Sequence, residues 1–173
     1  MDSALRTVAE LMALSARTAP KAMGQDFLEL KICTGEEVER LAAEMLRIAN
    51  EHRDRGFARD AGNVRDSQAV VLIGLKPHAP LGLNCAACGY GCAAFEHGSV
   101  ERGFAGPNCA MRLLDMGIAV GSAVKTASIH NVDNRVMYRA GVAARRAGLI
   151  DAAVVMGIPL SAKGKSIYFD RAQ

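Results

Sequence analysis

No run of apolar residues in this 173-residue chain approaches the roughly 20 needed to cross a bilayer. A membrane-spanning helix is therefore not expected. A signal peptide is not expected either, because Asp2, Arg6 and Glu10 interrupt the apolar residues of MDSALRTVAELMALSARTAP. The expected location is the cytoplasm, where thiols stay reduced and clustered cysteines point to metal or redox chemistry before disulfides. Charge is in short supply as well: a net +3 with 23% charged residues gives no reason to expect disorder or a polyanion-binding surface. No nucleic-acid partner is expected. Internal repeats, low-complexity tracts and a linker are all missing, so with 50% hydrophobic residues a single domain over residues 1–173 is the expectation.

Familiar catalytic patterns are missing too. There is no H-E-x-x-H, and His52, His78, His97 and His130 have no recognisable Ser or Cys partner motif. The stretch AKGKS is not a phosphate-binding loop, because Pro159 occupies the position of its first glycine. Asp115 and Asp133 read as structural carboxylates of helices rather than an acid/base pair.

What is present alternates between helical and strand periods. Leu5, Val8, Ala9 and Met12 recur at helical spacing, and Pro20 sets a stop near residue 19. FLELKIC alternates as a half-buried strand does. Thr34 and Glu37 form a T-x-x-E capping box before a helix that carries Val38, Leu41, Ala42, Met45 and Ile48 to about Glu51. HRDRGFARDAGNVRDSQ, with its charge and two glycines, reads as a solvated loop. AVVLIGL predicts a strand buried on both faces. A helix follows from Asn108, whose Gly117 and Gly121 suggest close approach by a backbone or ligand, and another from about Asn134 to Gly148. AAVVMGI predicts a strand ended by Pro159, and KSIYF an edge strand. These elements predict a sheet covered by helices on both faces.

Cysteine is scarce, yet three of the five lie in NCAACGYGC. Cys85, Cys88 and Cys92 give C-x2-C-x3-C, and Cys109 follows at the predicted start of a helix, where the dipole favours a thiolate. Four thiolates are the complement of a cubane iron-sulfur cluster or a structural zinc site. Gly89 and Gly91 allow the backbone to fold round a centre with amides free to face sulfur. The spacing matches neither the bacterial ferredoxin run nor a zinc ribbon, so both centres stay open, beside a disulfide and a tight turn of small buried residues. His97 is a substitute ligand or an exposed loop residue, Cys33 a core residue, and Tyr90 a shield for a cluster or a loop lid.

With Cys109 beyond it, NCAACGYGC resembles a family of prokaryotic proteins described as containing a ferredoxin domain, and the resemblance spans the chain. ALSARTAPKAMGQDFLELKICTG, LLDMGIAVGSAVKTASIHN and GLIDAAVVMGIPLSAKGK are similar to the flavin-contacting loop region, long central helix and last core strand of nitroreductase-like flavoproteins. That resemblance implies an α+β fold in three layers, a central mixed or antiparallel sheet flanked by helices, with a four-cysteine loop at 84–109. It further implies a homodimer with FMN at its interface. Ala19 and Pro20 keep the loop pattern, but Lys21 and Gly24 replace its serine and asparagine, and the arginine pair that holds the FMN phosphate has no counterpart. Arg17, Lys21, Lys163 and Lys165 are the candidate replacements. Three functions follow: a redox protein carrying a [4Fe–4S] cluster on Cys85, Cys88, Cys92 and Cys109, which exchanges electrons with a partner protein or small acceptor; a zinc-clasped interaction protein; and an FMN-dependent oxidoreductase.

Overall fold

The computed structural model describes residues 1–169. Helix α1 (Asp2–Thr18) is followed by β1 (Leu28–Thr34), α2 (Glu36–His52), α3 (Arg55–Arg65) and β2 (Ala69–Leu75). A long segment then carries a small hairpin, β3 (Val100–Glu101) and β4 (Ala105–Gly106), before α4 (Ala110–Ile129), β5 (Asp133–Asn134), α5 (Tyr138–Arg146) and β6 (Val154–Ser161). The main sheet has the order β1-β2-β6-β5, and every pairing is antiparallel. None of the described helices is long and apolar enough to cross a membrane.

Central β2 explains the layering. All seven of its residues are buried, and the alternation of a strand sends Val70 and Leu72 to one face and Val71 and Ile73 to the other. The first face packs under α2, α3 and α5 through Val38, Leu41, Met45, Phe57, Ala61 and Ala143. The second packs under α1 and α4 through Leu5, Met12, Met116, Ala119 and Ala123. The fold is thus α+β in three layers, as the sequence led us to expect.

Several local expectations need correction. The capping box does not form: Gly35 caps α2 with φ +52°, and Glu37 pairs with Lys31 at 2.7 Å instead. Residues 55–65 are helix and not solvated loop. Asp54 accepts hydrogen bonds from the amides of Gly56 and Phe57, and Phe57, Ala61 and Val64 supply a narrow buried stripe that the surrounding charge masked. Residues 133–134 pair with β6, so α5 starts later than expected. Pro159 lies inside β6 rather than ending it. Gly157 hydrogen-bonds outward to Met137, so Pro159 two residues on turns its missing N–H to that same edge, between the β5 pairing and the Met137 bridge. Lys165 to Phe169 form no strand; Tyr168 is instead fully buried, its hydroxyl 2.8 Å from that of Ser67. Gly117 and Gly121 face outward, and a Cβ added at either would meet nothing within 4 Å.

Close approach occurs elsewhere. A Cβ on Gly141 would stand 1.7 Å from the carbonyl oxygen of Val155, so α5 rests directly on the backbone of β6. Register then sets the functional geography. Leu28 is opposite Leu75 and Leu75 opposite Val154, so the α1–β1 loop and the segment after β2 emerge at the same end of the sheet. We expect Gly141→Ala to destabilise the protein by about 3 kcal/mol, the upper range of overpacking, in chemical denaturation.

Candidate metal centre

Between β2 and α4 the chain first prolongs the ladder, Lys76 donating its amide to the Phe27 carbonyl at 2.9 Å. From Pro77 to Phe95 it contains no Asp, Glu, Lys or Arg. The backbone then coils through left-handed positions at Asn84 (φ +50°), Ala86 (+54°) and Gly89 (+87°). A reciprocal clasp closes this coil. The Asn84 amide donates to Cys92 Sγ at 3.2 Å, and the Cys92 amide donates to Asn84 Oδ1 at 3.1 Å. A side chain on Gly91 would press on that same Oδ1, at 3.2 Å.

The result is one small pocket lined by Cys85, Cys88, Cys92 and Cys109 together with Leu83 and Tyr90. Cys85 is exposed, Cys88 and Cys92 are half-buried, and Cys109 is buried. Among the described residues no three His, Cys, Asp or Glu side chains stand close enough to bind a single metal ion. The thiols therefore share a pocket without meeting at one point. Tyr90 lines it while remaining 45% exposed.

Cys109 is the N-cap residue of α4. Burial pushes its thiol up, but the amides of Leu81, Arg112 and Met111 and the charge of Arg112 outweigh burial and hold it below the ordinary thiol value. The surroundings thus ease ionisation to the thiolate, the form that ligates metal. Beneath it, Arg112 and Asp115 are both buried and paired at 3.2 Å. Arg112 also bonds the Ala22 carbonyl and Gln25 Oε1 and lies 4.7 Å above the Phe27 ring, while Asp115 accepts the Ala22 amide at 2.8 Å. The first turn of α4 is thereby fastened to the α1–β1 loop.

The four candidate phosphate ligands do not come together in one chain. Arg17 pairs with Asp26 at 2.6 Å and donates to the Leu28 carbonyl. Lys21 donates to the carbonyls of Ala16, Arg17 and Ala19, closing the C-terminus of α1. Lys163 and Lys165 are exposed beyond β6, at the end of the sheet opposite to Leu28. His97 does not line the cysteine pocket; its ring lies 4.8 Å from that of His78, with Nδ1 buried and unpartnered. Asn84, His78 and Arg112 were not singled out by sequence reasoning. For Asn84 the signal was its position directly before the first cysteine; for the other two there was none, since their partners are distant in the chain.

The family described as "Uncharacterized protein containing a ferredoxin domain" matches residues 105–171, which include Cys109 but not the three-cysteine run. An uncharacterized protein of Archaeoglobus fulgidus is 51% identical over 173 residues, covering 99% of this chain and 94% of its own length. The chain belongs to this ferredoxin-domain family. Its fold is that of the nitroreductases. A nitroreductase with bound FMN from Desulfitobacterium hafniense superposes with a TM-score of 0.59 at 14% identity, over 92% of this chain and 78% of that one. The FMN-dependent nitroreductase NfnB from Mycobacterium smegmatis, in complex with NADPH, gives 0.61 at 12% identity, over 97% and 85%.

Cys33 stands apart from the other cysteines of this chain. It is fully buried in the core, and burial, reinforced by Glu37, pushes its thiol up to about 11. A raised folded-state value for a group that is neutral when protonated means stability that is complete below the unfolded thiol value near 9 and lost as pH rises toward 11. Urea denaturation at pH 7 and pH 10 should show this loss in the native protein and less of it in Cys33→Ala, which keeps the metal content of the native chain.

Proposed function

We propose that this protein is a redox carrier in which Cys85, Cys88, Cys92 and Cys109 hold an iron-sulfur cluster of the [4Fe–4S] type. The observation that carries this reading is the single pocket lined by all four thiols. The donor set fits the group. It is all thiolate, its coil carries an N–H···S bond to Cys92, and the amides around Cys109 favour charge on its sulfur. A four-cysteine set also serves one zinc ion with every sulfur about 2.3 Å from a common centre, and metal analysis separates the two. When bound, such a cluster supplies one-electron transfer. The chain's own contribution is to hold the thiolates apart, to aim amides at them, and to limit water at the buried Cys109 while Cys85 stays open to a partner protein or small acceptor.

The fold also keeps an FMN-dependent activity in play, but Arg17 and Lys21 are engaged with other groups and are remote from Lys163 and Lys165. These four side chains form no phosphate cradle within one chain. We propose a homodimer through α4. This helix buries its charged Arg112 and Asp115 beside its apolar inner face, while on its outer face Leu113, Leu114 and Ile118 are 40%, 58% and 45% exposed. Gly117 and Gly121 between them leave open space for a partner backbone.

Protein prepared without oxygen should contain iron and acid-labile sulfide in near-equal amounts, several per chain. Cys88→Ser should abolish most of its visible absorbance while far-ultraviolet circular dichroism stays the same. Zinc at about one per chain without sulfide would select the structural reading instead. In sedimentation the native chain should run as a dimer and Ile118→Glu as a monomer; a native monomer would remove the dimer proposal.

A further inference from the structure

Resting on the cluster reading, we propose that His78 is a positioning residue for the metal centre: it fixes Cys109 by accepting the hydrogen bond of that residue's own backbone amide. His78 is 6% exposed, three residues past the end of β2, and both ring nitrogens are engaged within the protein. Nε2 stands 3.1 Å from the Cys109 amide, and Nδ1 stands 2.9 Å from the Lys76 carbonyl. A backbone N–H can only donate, so Nε2 carries the lone pair. A carbonyl can only accept, so Nδ1 carries the proton. The two partners thus select one uncharged tautomer. With neither nitrogen free, His78 is not a ligand.

What it does instead follows from its partners. Lys76 belongs to the ladder that prolongs β2, and Cys109 begins α4, so one imidazole ties the entry of the cysteine segment to its exit across 31 residues. The ring is held in place by Phe27 at 6.1 Å, His97 at 4.8 Å and Phe95 at 6.3 Å between centroids. Phe95 closes the turn that starts at Cys92, its amide bonding the Cys92 carbonyl. His78 therefore holds Cys109 directly and meets the turn after Cys92 through Phe95. Without it, the Cys109 amide at the N-cap would be a buried donor lacking a partner, which the helix start would relieve by shifting. A shift there moves the one ligand that lies outside the coil closed by Asn84.

The test compares His78→Phe, which keeps a ring of similar bulk and loses the acceptor, with His78→Gln, whose Oε1 can take the place of Nε2. Amide hydrogen exchange on metal-free protein reads the bond directly. The Cys109 amide should exchange at least about tenfold faster in His78→Phe and close to the native rate in His78→Gln, with amides of the second turn of α4 unchanged in both. Iron release to a chelator should accelerate about 10-fold or more in His78→Phe, the usual consequence of losing an outer partner of a ligand, and be restored by His78→Gln. If His78→Phe does not fold, His78→Asn, which withdraws the acceptor from Cys109, replaces it. Native exchange at Cys109 in the acceptor-free variant overturns the proposal, and so does faster exchange with unaltered iron release. A native protein that takes up no iron would overturn the cluster reading, and the exchange data alone would then say whether His78 holds Cys109.

Discussion

The arrangement at the cysteine end of this protein depends on the burial of Arg112 beside Asp115. Two charges in the first turn and a half of α4 are removed from water, which is tolerated only when their hydrogen-bonding capacity is used. The protein uses most of it by drawing in the α1–β1 loop: the amide and carbonyl of Ala22, Gln25 and the Phe27 ring all meet this pair, and only Nε of Arg112 is left without a partner. Removing one partner of such a pair commonly costs about 3–5 kcal/mol, because the other charge is stranded. The pair therefore locks α4 in position along its axis and in rotation. The start of α4 is where Cys109 sits, so a structural ion pair decides the location of one corner of the candidate centre. The same rotation leaves Leu113, Leu114 and Ile118 facing outward.

The two faces of the sheet are specialised in consequence. On one side, α2, α3 and α5 cover β2 with ordinary amphipathic helices whose charged residues form exposed networks, such as Arg47 and Arg146 with Glu44 and Glu51. On the other, α1 and α4 enclose the second half of the core. Both the cysteine segment and the α1–β1 loop leave from one end of the sheet, so the candidate metal centre and the α1–β1 loop are neighbours, joined through Arg112 and Asp115 to Ala22.

Much of this was legible from the residues. Helical spacing gave α1, α2 and α4, and the apolar run AVVLIGL gave the central strand, because burial on both faces leaves no polar residue in the pattern. That Cys85, Cys88, Cys92 and Cys109 would line one pocket was legible as well, since thiols at such spacing are conspicuous and bringing them to one pocket needs only a short coil and a following helix. The failures share a cause. Helix α3 was hidden because its buried stripe is three residues wide, and Pro159 looked like a terminator because nothing in the sequence says which edge of β6 its missing N–H faces. The capping box was outcompeted by the Lys31–Glu37 pair. Arg112 read as surface charge, yet it is nearly inaccessible, and only a tertiary partner such as the Ala22 carbonyl could reveal that.

One consequence concerns how the pocket would meet whatever approaches it. Apart from its cysteines, none of the residues lining it is charged at neutral pH, and the segment from Pro77 to Phe95 has no Asp, Glu, Lys or Arg. Long-range steering, which speeds encounters between oppositely charged surfaces and fades with added salt, would act here through the thiolates alone, with no ring of charged side chains to reinforce it. Close docking at the rim would be governed by short-range shape. Selectivity among collision partners would rest on the fit of small side chains around Leu83 and Tyr90.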